Sequence, residues 1–102
     1  MAVLYITEFA RQGRDAGGRN MVVAEEPPVA NQTVAITAGS IQSAAFSANT
    51  AFLRISTDAT CSIEFGLNPT ASATTRRLPA NTTEYFSVPQ GQSYKLAVII
   101  NT

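Results

Sequence analysis

Histidine and tryptophan are missing from this 102-residue chain, and cysteine occurs once, at position 61. A lone cysteine closes no intrachain disulfide, and without histidine or a second cysteine the usual zinc ligands cannot be assembled within one chain. The same absence removes the base that activates a nucleophilic thiol, so Cys61 is expected to be buried and structural. Charge is scarce as well. Seven basic and seven acidic residues cancel, and charged residues make up 14% of the chain, against about 25% in typical globular domains. The basic residues are not gathered in one segment, so the footprint that phosphate contacts require is absent and nucleic acid is not an expected partner. No apolar run approaches the ~20 residues of a membrane-spanning helix, and the N-terminal stretch has no basic region followed by a long apolar one. No membrane partner is expected, and the product reads as soluble, unprocessed and made in the cytoplasm.

What remains is a chain of Thr, Ser, Asn, Gln, Ala and β-branched residues, long enough for one domain and one core. Stripes with a period of 3.6 are not found. Period-two alternation, which puts successive side chains on opposite faces of a strand, recurs throughout. It is clearest between Ala51 and Phe65, which reads as a β-hairpin: Leu53, Ile55 and Thr57, then a break at Asp58, then Cys61, Ile63 and Phe65 on one face. Arg54, Ser56, Ser62 and Glu64 fall on the other, a wet or partner-facing surface. Further strands are expected at Ala2–Phe9, Thr33–Thr37, Ile41–Phe46, Thr83–Val88 and Tyr94–Ile100, with turns at residues 38–40, 78–81 and 89–92. Residues 66–77 read as a long polar loop. The last strand is apolar on both faces, which requires a central place in its sheet or a second surface over it.

The expected fold is therefore all-β: a small antiparallel sandwich or jelly roll of about seven or eight short strands. Within this single domain, residues 1–30 read as an N-terminal strand and extended arm, and 31–102 as the sandwich. Three features suggest the arm. Arg11–Asn20 is glycine-rich and lacks apolar periodicity, Met21–Ala24 is a short extended run, and residues 25–28, ending in two prolines, terminate that run. The apolar residues Leu4, Tyr5, Ile6 and Phe9 admit two readings. They form an ordinary first strand, or they add a strand to a neighbouring chain's sheet edge.

Candidate sites are few. Glu64 and Glu84 could be paired for acid–base work but read as solvated strand positions. The glycines of GRDAGG lack a phosphate-binding spacing. Arg76 and Arg77, the one adjacent basic pair, are either simply solvated or contact an acidic partner surface. Tyr85 and Tyr94 are candidates for a sugar platform, and read as easily as core or interface residues. No catalytic residue, metal ligand or cofactor is expected.

LYITEF near the start, then EEPPVANQTVAIT, SAAF, TDATCSIEFGLNPTASATT, LPANTTEYFSVPQGQ and the final KLAVI together resemble small virion structural proteins of tailed bacteriophages and prophages. The resemblance covers nearly the whole chain and contains no catalytic signature. It implies a non-enzymatic component of the virion, most simply a capsid decoration (cement) protein on the capsid surface. Such a protein binds the major capsid protein as a small homo-oligomer, a dimer or trimer. Neck, tail or fibre attachment, and a host-surface carbohydrate-binding module, are the alternatives.

Overall fold

The structure, a computed structural model, describes residues 2–14, 16–24 and 26–101, the side chains of 12–14 and 20–24 excepted. Ten strands are formed among them: β1 (Val3–Phe9), β2 (Gln12–Arg14), β3 (Asn20–Ala24), β4 (Ala30–Ala35), β5 (Ile41–Gln42), β6 (Phe52–Thr57), β7 (Cys61–Gly66), β8 (Arg76–Leu78), β9 (Thr82–Ser87) and β10 (Lys95–Ile100). Eight of them make two antiparallel sheets, in the orders β4-β1-β6-β9 and β5-β10-β7-β8, while β2 and β3 pair only with each other. The fold is thus the expected all-β sandwich.

Its core lies between the sheets. Leu4, Ile6, Val34, Leu53 and Ile55 come from the first sheet, and Cys61, Ile63, Leu78, Leu96 and Val98 from the second; Ile36 and Phe46 join them from connecting segments. Each fully buried Leu or Ile contributes about 1.5–3 kcal/mol relative to exposure. The alternating pattern is therefore strong enough to fix which face of each strand turns inward.

The expected hairpin over Ala51–Phe65 is not formed. β6 pairs with β1 and β9, whereas β7 pairs with β10 and β8. The chain arches from one sheet to the other, and the two apolar stripes face each other across the core. Alternation shows which side chains turn inward, but it does not show whether two consecutive strands share a sheet. The corner itself is shaped by polar groups. The Thr57 hydroxyl donates to the Ala59 carbonyl (2.6 Å) and accepts the Ala59 N–H (3.2 Å), and Asp58 Oδ1 accepts the Val3 N–H at 2.8 Å. On the other side of the corner, the Asn101 N–H donates to the Thr60 carbonyl (3.1 Å).

The reading of the first thirty residues as an extension also needs correction. β1 lies inside its sheet, bonded to β4 on one side and β6 on the other. What stands apart is the β2–β3 hairpin, closed through Gly18 at φ +82°, where the expectation was a loop and a separate extended run. Glu25, one of the residues expected to end that run, lies outside the described residues. Glycine and proline there delimit a hairpin, and the chain returns to β1 when the Val29 N–H bonds the Glu8 carbonyl at 2.7 Å.

Two other expectations shift. The strand expected at Ile41–Phe46 is only Ile41–Gln42, because the following backbone bonds irregularly to β10 and the residue before it, with Ser43 N–H to Leu96 O (2.7 Å) and Phe46 N–H to Tyr94 O (2.9 Å). The polar loop ends one residue before Arg76, where β8 begins as an edge strand on β7. β10 satisfies both conditions its two apolar faces required. It is central, between β5 and β7, and the loop of residues 67–75 lies over its outer side. Gln42 Nε2 donates to Asn68 Oδ1 (2.8 Å) and the Pro69 carbonyl (2.9 Å), and Asn101 Nδ2 donates to Ser62 Oγ (2.7 Å) and the Ala73 carbonyl (3.3 Å). Ala97 and Ser62 are fully buried beneath it, so Ser62 is not on the wet face where alternation had placed it.

Candidate functional site

The predicted interface residues separate into core and surface. Leu4, Ile6 and Phe9 are 0%, 1% and 2% exposed and are not available to a partner, which corrects their assignment. Leu4 and Ile6 face the core, and Phe9 stacks on its cross-strand neighbour Phe52 at 5.2 Å. Tyr5 alternates outward and is 49% exposed. Arg76 and Arg77 are both exposed on β8, and the Arg76 guanidinium lies 4.9 Å from the centroid of the Phe86 ring. Tyr85 is 59% exposed on β9, while Tyr94 is half-buried and packs against the core. Tyr85 and Tyr94 line different clefts and form no common platform.

Register gives the outer face of the first sheet. Thr33, Tyr5, Ser56 and Thr83 form one row across the four strands, and Asn31, Thr7, Arg54 and Tyr85 the next. Thr83 Oγ1 bonds Ser56 Oγ at 3.4 Å within the first row. Arg54 is the one charged side chain in these rows. Tyr85 stands directly opposite it on β9, and Tyr5 lies in the adjoining row on β1, both carried by strands rather than loops.

Two open clefts flank β9. The first, about 350 Å³, lies toward the core side and is lined by Phe65, Arg76, Phe86, Val88, Pro89 and Tyr94, with Gly66 and Ser87. The second, about 380 Å³, lies toward the outer side, between Ala10, Arg11, Ala51, Phe52, Tyr85, Phe86 and Ser87. Phe65 packs at a tilt on Phe86 (5.3 Å) and is itself 6.5 Å from Phe46, so the first cleft is the place where the aromatic end of the core meets solvent.

The groups with potential chemistry are engaged structurally. Burial pushes the Cys61 thiol above its ordinary value near 9; the nearby Asp58 charge adds to this and a hydrogen bond to Thr57 opposes it. The thiol lies 3.7 Å from the Thr57 hydroxyl. Glu64 and Glu84 belong to different sheets, and Glu64 Oε1 accepts the neighbouring Phe65 N–H (3.1 Å). Among the described residues, no group of three or more His, Cys, Asp or Glu side chains is placed to hold a metal ion.

The carboxylate that sequence reasoning missed is Glu8, only 2% exposed. It accepts the Ser47 N–H (2.8 Å), the Thr50 hydroxyl (2.8 Å) and Gln32 Nε2 (3.1 Å). Gln32 in turn clasps Ala44, accepting its N–H at 3.0 Å and donating to its carbonyl at 3.4 Å. The available signal was period two itself, since Glu8 shares the inward parity of Leu4 and Ile6. Buried carboxylates persist where donors meet them, and here Glu8 ties the segment after β5 to β1 and β4.

No family model, curated protein or solved structure matches this chain.

Proposed function

We propose that this chain is a non-enzymatic structural protein of a phage virion, a decoration protein that stabilises the assembled head by binding across major capsid subunits. The observation that carries the reading is the outer face of the first sheet, where Tyr85 stands opposite Arg54 and Tyr5 lies in the adjoining row, among Thr, Ser and Asn. Protein interfaces are enriched in Tyr and Arg and depleted in Lys, Glu and Asp, and these rows carry no Lys, Glu or Asp. The virion assignment itself rests on the resemblance of LYITEF, TDATCSIEFGLNP and LPANTTEYFSVPQGQ to virion structural proteins. The mechanism is linkage: a protein that binds the closed shell and not its free subunits shifts the equilibrium toward the shell. Small oligomers of this chain would multiply the contact.

The test uses particles stripped of the protein and then resupplied. Resupply with the native chain raises heat and osmotic-shock tolerance, whereas a Tyr5→Ala, Tyr85→Ala double variant, which keeps its own melting temperature because both rings are exposed, fails to bind. Unchanged tolerance on resupply would sink the cement role.

A further inference from the structure

We infer that the free edge of β9 accepts an extended segment of a partner protein as an added strand, with apolar side chains on its core side and carboxylates on its outer side. The inference concerns this edge alone and holds whether or not the flat face of the first sheet meets a capsid. β9 is the last strand of its sheet, with β6 on one side. The Val88 N–H donates to the Ala51 carbonyl (2.8 Å), in register with the β6 ladder. Alternation therefore turns the N–H and C=O groups of Thr83, Tyr85 and Ser87 outward, each offering one donor and one acceptor.

The other edges are less suited. β5 and β8 are two and three residues long, and β4 is tied to Ala44 through Gln32. β9 runs for six residues, TTEYFS, about 20 Å of strand, without the lysine, proline or bulge by which edges are usually blocked.

The two clefts set the chemistry of the occupant. They lie on opposite sides of the same strand and share Phe86 and Ser87, so a strand added here directs alternate side chains toward one and then the other. On the core side, Phe65, Phe86, Val88 and Tyr94 receive apolar groups. Among the described residues no carboxylate lines either cleft, and the charged side chains there are Arg76 and Arg11. Arg54 sits directly opposite Tyr85 on the outer face. Glu84, exposed and on the core-side parity of β9, repels carboxylates there and so sorts them to the outer side.

The probe is a capped, fluorescein-labelled peptide, TEVEFEVT, against the isolated chain. Controls are TKVKFKVT, with the charge reversed, and TEEVFVET, with the alternation broken. The alternating acidic peptide is expected to bind roughly tenfold tighter than either control and to slow amide exchange at Thr83, Tyr85 and Ser87. Thr83→Pro removes an outward N–H and spares the ladder to β6. Arg54→Glu reverses the charge opposite Tyr85 on the outer face and leaves the backbone ladders of β6 in place, so it tests the same point should the proline variant not fold. Each is expected to weaken binding by roughly tenfold. Equal binding of the three peptides, or protection at β4 instead of β9, would overturn the proposal. So would a dimer in sedimentation whose β9 amides are already protected without peptide, since the occupant would then be a second copy of this chain.

Discussion

Glu8 and Cys61 are both buried, and each carries a prediction. Glu8→Ala leaves the Thr50 hydroxyl, the Ser47 N–H and the Gln32 amide without their acceptor. An unsatisfied buried donor costs about 1–3 kcal/mol, so the variant is expected to lose about 3 kcal/mol, read as a lower urea midpoint at unchanged slope. Glu8→Gln keeps one oxygen and should lose about half as much. For Cys61 the sign follows from its raised value. Between the unfolded and folded values the native state holds a proton that the unfolded chain releases. Its contribution is therefore complete below the unfolded value and is lost as pH rises through the folded one. The native chain should lose more stability between about pH 7 and about pH 10 than Cys61→Ser, whose hydroxyl does not titrate there. Equal losses in the two proteins would remove the thiol from the account.

At the scale of strands, β1 is the element whose sequence and setting disagree most. Its period-two pattern was legible, and so was the inward face of nearly every strand, because burial of Leu, Ile and Val dominates that choice. Partner choice was not legible. Whether β6 turns back beside itself or arches to the other sheet depends on the hydrogen bonds of Thr57 and Asp58 at the corner, and a polar tripeptide break is compatible with both. The same limit hid the candidate site. Tyr5, Arg54 and Tyr85 lie far apart in sequence and meet only because β1, β6 and β9 are neighbours. Reading the Gly- and Pro-rich stretch after β1 as a detachable arm led to the assignment of Leu4, Ile6 and Phe9 to an interface. Because β1 bonds strands on both sides, a chain lacking residues 1–9 is expected to show no cooperative thermal transition. A retained sharp melt would mean that the remaining strands close the sheet without it.

Taken whole, the molecule joins a well-packed interior to a surface with little charge. The net charge is zero and the isoelectric point near 6.1. Proteins associate most readily where self-repulsion vanishes, so static light scattering should show the most attractive interparticle interaction near pH 6, weakening on either side; a flat profile from about pH 5 to about pH 8 would contradict this. Near neutral pH a nearly uncharged domain approaches its neighbours against little repulsion, as the proposed decoration role requires.

The corner between β6 and β7 has one more consequence. Val3 is bonded to Asp58, and Asn101 to Thr60, so both ends of the described chain are held at a single pole by residues two apart. Polypeptides fused before Val3 and after Asn101 would emerge side by side. A short linker joining those positions, with the chain reopened in the exposed part of the 67–75 loop, should yield a circular permutant that keeps both sheets. The domain could then carry two passengers as a paired display on one end.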